Sequence, residues 1–154
     1  MKKVEAFADF INSRDIRCMV VNETDCYNRD DSYIMIPCLN GCVDNNIYVI
    51  FNREVIEHAI TGVEIIAPKV YHLSYSLCLR DMQVYKMLND FNADDLWVTA
   101  FVDEDGNVAI KMIMDRYEDE DVRFGEYLVD SIYALRSSVS KFVQCASEKV
   151  DFML

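Results

Sequence analysis

Residues 96–114 read LWVTAFV, DEDGN and VAIKMIM, and the fold turns on these three pieces. In the first, Trp97, Thr99 and Phe101 share one side and Val98, Ala100 and Val102 the other. In the third, Val108, Ile110, Met112 and Met114 share one side and Ala109, Lys111 and Ile113 the other. Side chains of a strand alternate with a period of two, so both pieces are strands. Gly106 supplies the positive-φ position that a tight connection between them needs, and the segment is a β-hairpin. Asp103, Asp105 and Asn107 also imitate the opening of a calcium loop. That loop needs glycine at its sixth position and glutamate at its twelfth. Here glycine stands fourth and Met114 twelfth, so turn chemistry accounts for the acids. Both faces of the hairpin are largely apolar and both need cover. Ordinary burial sets the N- and C-terminal helices on one face and the middle helix on the other. The functional alternative is a partner, for which aromatic side chains are favoured anchors.

Working outward, Met82, Tyr85, Leu88 and Phe91 recur on one helical face over residues 80–91, widened by Val84 and Met87. After the hairpin comes an acidic loop, 117–125, and then a long helix from Glu126 to about Cys145. Its Leu128, Ile132, Leu135, Val139 and Phe142 step by fours and threes, the seam of a well-buried or partner-facing helix. Toward the N-terminus, Val4, Phe7, Phe10 and Ile11 mark an amphipathic helix over 4–14. Strands follow at 18–21, 32–39 and 47–51, with Pro37 pointing to an edge position or a bulge. Residues 53–78 fit strand and helical turn equally, with Pro68 ending an extended piece. The order is α-β-β-β-(β)-α-β-β-α, an α+β fold with an antiparallel sheet covered by helices, in a single domain over 1–154.

Composition excludes more than it selects. The chain has 154 residues, a net charge of −12 and 52% hydrophobic residues, enough for one continuous core. A surface this acidic repels phosphate backbones, so neither nucleic acid nor an anionic membrane is expected as a partner. No apolar run approaches the roughly 20 residues that span a bilayer, and Glu5 and Asp9 interrupt any signal-like stretch after Met1-Lys2-Lys3. The six cysteines are expected to be reduced and mostly packed in the core of a cytoplasmic protein. A zinc site would begin at Cys38 and Cys42 and recruit Cys78 or His72, but the second ligand pair is missing. Cys38 and Cys42 flank the Asn40-Gly41 turn instead. His58 and His72 have no partner at a motif spacing. The acids at 115–121 form a solvated connection rather than an acid/base pair. Phosphate-loop, nucleophile-elbow and zinc-protease motifs are all absent, and four glycines leave little material for a phosphate cradle. No enzymatic activity and no cofactor are expected.

Residues 84–92, VYKMLNDFN, followed by the hairpin of 96–110, resemble the YbjN-like group of bacterial proteins. That group is named for sensory transduction regulation and shares the fold of type III secretion chaperones. Its helix ends in a Leu-Asn-x-x-Asn pattern, matched here by Leu88, Asn89 and Asn92. An apolar strand, an Asp-x-Asp-Gly hairpin, a second strand and a long C-terminal helix then follow. The resemblance covers about 80–145 well and the earlier elements in order only; the longer 53–78 segment departs from it. It implies a non-catalytic α+β domain that binds proteins, often as a dimer, in bacterial regulation.

The first reading is therefore a protein-binding domain, chaperone- or adaptor-like, forming a homodimer or holding a protein partner. Its anchors would be Trp97, Phe101 and Met112 on the exposed side of the hairpin, with Asn89 and Asn92 capping the middle helix and bracing the turn into Leu96. The alternative is a small-molecule- or metal-responsive regulator using Cys38, Cys42 and His72.

Overall fold

A computed structural model describes residues 2–22, 32–37, 46–53, 60–72, 78–95, 97–115 and 121–151. The elements are α1 (Lys2–Ser13), β1 (Met19–Val21), β2 (Tyr33–Pro37), β3 (Asn46–Arg53), β4 (Ile60–His72), α2 (Cys78–Asp94), β5 (Thr99–Val102), β6 (Asn107–Asp115) and α3 (Asp121–Asp151). The six strands form one sheet in the order β1-β2-β3-β4-β6-β5, every neighbouring pair antiparallel. Four strands thus meander, α2 leaves the sheet, and the β5–β6 hairpin returns to pair β6 with β4.

The ambiguous 53–78 stretch holds the central strand. In β4, Val63, Ile65 and Ala67 are buried, with Glu64 and Ile66 turned the other way. The strand runs through Pro68 instead of ending there, because the ladder to β6 shifts register between Ala67 and Tyr71. An irregularity of that kind is where a strand tolerates a residue with no N–H to donate. Pro37 marks neither an edge strand nor a bulge: β2 lies between β1 and β3. It is the last residue of β2, opposite Asn46 and beyond the reach of β1, whose pairing stops at Met19 and Met35.

Register explains the core. Ile34 faces Val49, Val49 faces Ile65, Ile65 faces Met112, and Ile110 faces Ala100, so these side chains lie on one side of the sheet. All are buried. The five seam residues of α3 are buried as well, confirming the four-three spacing. From α1, Phe7 stacks on Phe51 at 5.9 Å and meets Phe124 edge-on at 5.4 Å. From α2, Phe91 meets Phe142 of α3 edge-on at 5.5 Å. α3 begins five residues before the expected Glu126, so part of the expected acidic loop is helix. Gly125 lies where a Cβ would come within 3.1 Å of the Phe10 ring, which lets α1 pass close over α3.

The middle helix does not cover a second face. α1 and α2 both pack on α3, and on the opposite side of the hairpin Thr99 and Ile113 remain exposed. All three helices belong to one side of the sheet, and no described element lies over the other.

Candidate protein-binding face

The open face is the other half of the same alternation. Met19 pairs with Met35, Met35 with Tyr48, Tyr48 with Ile66, Ile66 with Lys111 and Lys111 with Thr99, a row that crosses all six strands. One step along, Ile50 faces Glu64 and Glu64 faces Ile113. Ile113 is 61% exposed, Met19 51% and Ile50 40%, high values for large apolar side chains. The Tyr33 and Tyr48 rings meet edge-on at 5.8 Å, and Lys111 Nζ sits 5.1 Å from the centre of the Phe101 ring.

Of the three expected anchors, Phe101 lies here, half-buried beside Lys111. Trp97 lies in a bend before β5, outside the strand expected over 96–102, and is 74% exposed. Met112 does not join Phe101: it is 7% exposed, opposite Ile65 in the core. The physical reason is parity. Phe101 pairs with Ala109, so the odd positions of β5 and β6 share the open face and the even ones are covered. The face also uses Met19, Met35, Tyr48, Ile50 and Ile113. Their period-two spacing was visible in the sequence; the register joining them was not.

Side-chain amides and carboxylates fix β5 in place. Asn92 Oδ1 accepts the Ala100 N–H at 2.7 Å, and Asn92 Nδ2 donates to the Ala100 carbonyl at 2.9 Å. A neighbouring strand would make the same two bonds, so Asn92 closes the outer edge of β5 to strand addition. Asp95 accepts the backbone N–H groups of Trp97 and Val98 at 3.1 and 3.4 Å, and Ser138 Oγ donates to its second oxygen at 3.0 Å. Asn92 thus braces the strand rather than only the turn, while Asn89 is exposed on α2. At the other end, Asp103 accepts the backbone N–H groups of Asn107 and Asp105. These bonds, that of Asn107 foremost, hold its carboxyl below the usual range. Gly106 has φ 79°, as the turn requires.

The metal reading gains nothing here. Cys38 and Cys42 lie outside the described residues. His72 Nδ1 lies 3.0 Å from Asn107 Oδ1. Among the described residues no three His, Cys, Asp or Glu side chains are placed to hold a metal ion. Between α2 and α3 a cavity of about 120 Å³ is lined by Met87, Phe91, Phe142 and Cys145 under an acidic rim. Ligand pockets usually start near 300 Å³, on the order of twice this volume or more.

Cys18 Sγ donates to the Ala8 carbonyl at 3.4 Å. Burial, with a smaller contribution from Asp9, pushes its pKa up to about 11 from 9.0. The thiol therefore stays protonated at neutral pH, opposite to what a nucleophile needs. At pH 8, alkylation of Cys18 followed by peptide mapping is expected to run about a hundredfold slower than at a thiol of pKa 9.0, rising with pH toward 11. A rate like that of an unhindered thiol would contradict this placement.

No family model and no curated protein sequence matches the chain. Among solved structures it is similar to YbjN of E. coli, a candidate transcription regulator by name. The TM-score is 0.55 at 13% identity, over 94% of this chain and 92% of that one. It is also similar to a chain of the heterodimeric ExoU–SpcU complex from the type III secretion system of Pseudomonas aeruginosa. There the TM-score is 0.47 at 12% identity, over 89% of this chain and 94% of that one. The YbjN likeness shows the fold: an α+β antiparallel sheet with helices, in the element order read from the sequence. Among the described residues no helix is long and apolar enough to cross a membrane.

Proposed function

We propose that this chain is a single-domain, non-catalytic protein-binding module, chaperone- or adaptor-like, that works through the open face of its sheet. One observation carries the reading: among the described residues, a six-stranded sheet with every helix on one side, and with Ile113, Met19 and Ile50 presented on the other. Large apolar side chains left in water on a rigid platform lose the stabilisation of burial, roughly 1.5–3 kcal/mol for each one fully covered. A partner surface recovers it. The enrichment in aromatic residues and methionine is that of interface centres, from which charge is depleted. A bacterial cytoplasm, where thiols stay reduced, suits a chain with six cysteines.

A photoreactive amino acid placed at position 113 tests the reading in the native cells. The expected result is crosslinked protein adducts from position 113 and none above background from position 130, on the exposed side of α3. Equal yields from the two positions, or none from 113, would overturn it.

A further inference from the structure

We infer that the cleft between α2 and α3 is a second docking site, for an extended peptide segment in which one large apolar residue stands between two basic ones. The cleft is on the helix side of the sheet, and the inference does not depend on what the open face holds.

Size sets the anchor. The cavity has a volume of about 120 Å³, with Met87, Phe91, Phe142 and Cys145 as its apolar lining. An apolar cavity of about 150 Å³ is enough to take a benzene ring. This one therefore suits a single side chain of leucine or methionine size and not a whole cofactor. Met87 and Phe142 are buried core residues, and Phe91 is fixed edge-on against Phe142. The lining is thus formed before any partner arrives, and a preformed pocket for one apolar side chain is what the centre of an interface uses.

Charge sets the flanks. The remaining described lining residues are Asp90, Asp94, Asp95 and Lys141, so the rim is negative. The Asp95 carboxylate is occupied by the backbone N–H groups of Trp97 and Val98 and by the Ser138 hydroxyl. Asp90 and Asp94 are exposed, and among the described residues neither has an ion-pair or hydrogen-bonding partner for its carboxylate. Like charges four residues apart on a helix repel, and a bound cation removes that repulsion. The two lie about 6 Å apart along the helix axis, at 1.5 Å per residue. In an extended peptide, residues i and i+2 are about 6.8 Å apart. Two basic residues flanking one apolar residue therefore match the pair of aspartates while the residue between them enters the cavity. The negative rim draws such a segment in and turns an acidic one away. Trp97, whose backbone Asp95 holds, is 74% exposed and offers a ring face to a further cation.

Fluorescence anisotropy of fluorescein-labelled Gly-Ser-Lys-Leu-Lys-Ser-Gly, titrated with the full chain, tests this. Saturable binding is expected below about 1 mM, weakening as salt is raised. Serine in place of the leucine is expected to weaken it about tenfold or more. Glutamate in place of both lysines is expected to abolish it. Asp90→Asn with Asp94→Asn is expected to weaken it about fivefold. Asp105→Asn with Asp130→Asn makes the same change in net charge at exposed positions away from the cleft and is expected to leave it unchanged. Cys145→Phe, which fills the cavity, is expected to abolish saturation, with circular dichroism checking the fold. Ile113→Ser, on the open face, is expected to have no effect. No saturation up to about 1 mM, or binding indifferent to the leucine, would overturn the cleft as an anchoring site. Equal losses from the two pairs of aspartate changes would overturn Asp90 and Asp94 as its rim. A loss with Ile113→Ser and none with Cys145→Phe would put the peptide on the open face, overturning this inference and leaving the proposed function standing. Binding at the cleft with no adducts from position 113 would do the reverse.

Discussion

Phe142→Ala is expected to lower stability by about 3–5 kcal/mol, the range for truncating a fully buried aromatic side chain. For a chain of this length that is roughly 10 °C or more in the thermal midpoint. Phe142 is 0% exposed and is the largest of the fully buried side chains. It meets the Phe91 ring at 5.5 Å and ends the seam that begins at Leu128. Removing it takes away the contact that fastens α2 to α3 and opens the space beside it to the cavity between those helices. Some of the new void will admit water through the acidic rim, so the loss should sit toward the lower end of the range. Phe142→Leu, which keeps most of the volume, should cost less than half as much. Chemical denaturation of the three proteins measures the differences. A loss below about 1 kcal/mol for alanine would contradict the packing described for α2 against α3.

The second large effect is expected at Asn92. Asn92→Leu keeps the approximate size but strips Ala100 of both its hydrogen bonds, and Ala100 is only 4% exposed. A buried donor and acceptor left without partners cost about 1–3 kcal/mol each, of which nearby water recovers part, so a net loss of about 2–3 kcal/mol is expected. Asn92→Ala, which leaves room for water at the strand edge, should be milder. Asn92→Asp retains the acceptor and sets a carboxylate against the Ala100 carbonyl. Amide hydrogen exchange at Ala100 reports the same event locally, with protection falling in step with stability in the leucine variant. The freed edge of β5 would also become a template for strand pairing, so aggregation on heating should increase. Unchanged exchange at Ala100 would show that Asn92 does not hold the edge.

What the sequence revealed depended on how local each signal was. The hairpin's turn and second strand and the seam from Leu128 to Phe142 follow from spacing within one element and stand in the structure; the first strand, expected over 96–102, is shorter, β5 covering Thr99–Val102. β4 was harder because Gly62 and Pro68 interrupt its pattern. The register shift that accommodates Pro68 belongs to the pairing with β6 and not to β4 alone. The start of α3 was masked by its own composition: Gly125 looks like a loop residue, yet it makes room for Phe10, more than a hundred positions away. The candidate site shows the same limit. Phe101 was placed by alternation within one strand, whereas Trp97 lies in the bend before it. Placing Met112 relative to Phe101 required knowing that Val102 pairs with Val108 across the turn, which sends Met112 into the core. That one helix covers nothing on the far side is a property of the chain's path after β4, and no residue of α2 announces it.

The central claim is that no described element covers this sheet face, and Ile113, 61% exposed at a paired position of β6, stands on it. Acrylamide quenching of a tryptophan placed there, Ile113→Trp combined with Trp97→Phe to leave one indole, at a dilution where light scattering gives 17.9 kDa, is the most direct measurement. The account expects emission and quenching close to those of a solvated indole in that monomer. A shielded, blue-shifted indole at position 113 at the monomer mass would mean that the face is covered, and the account would fail.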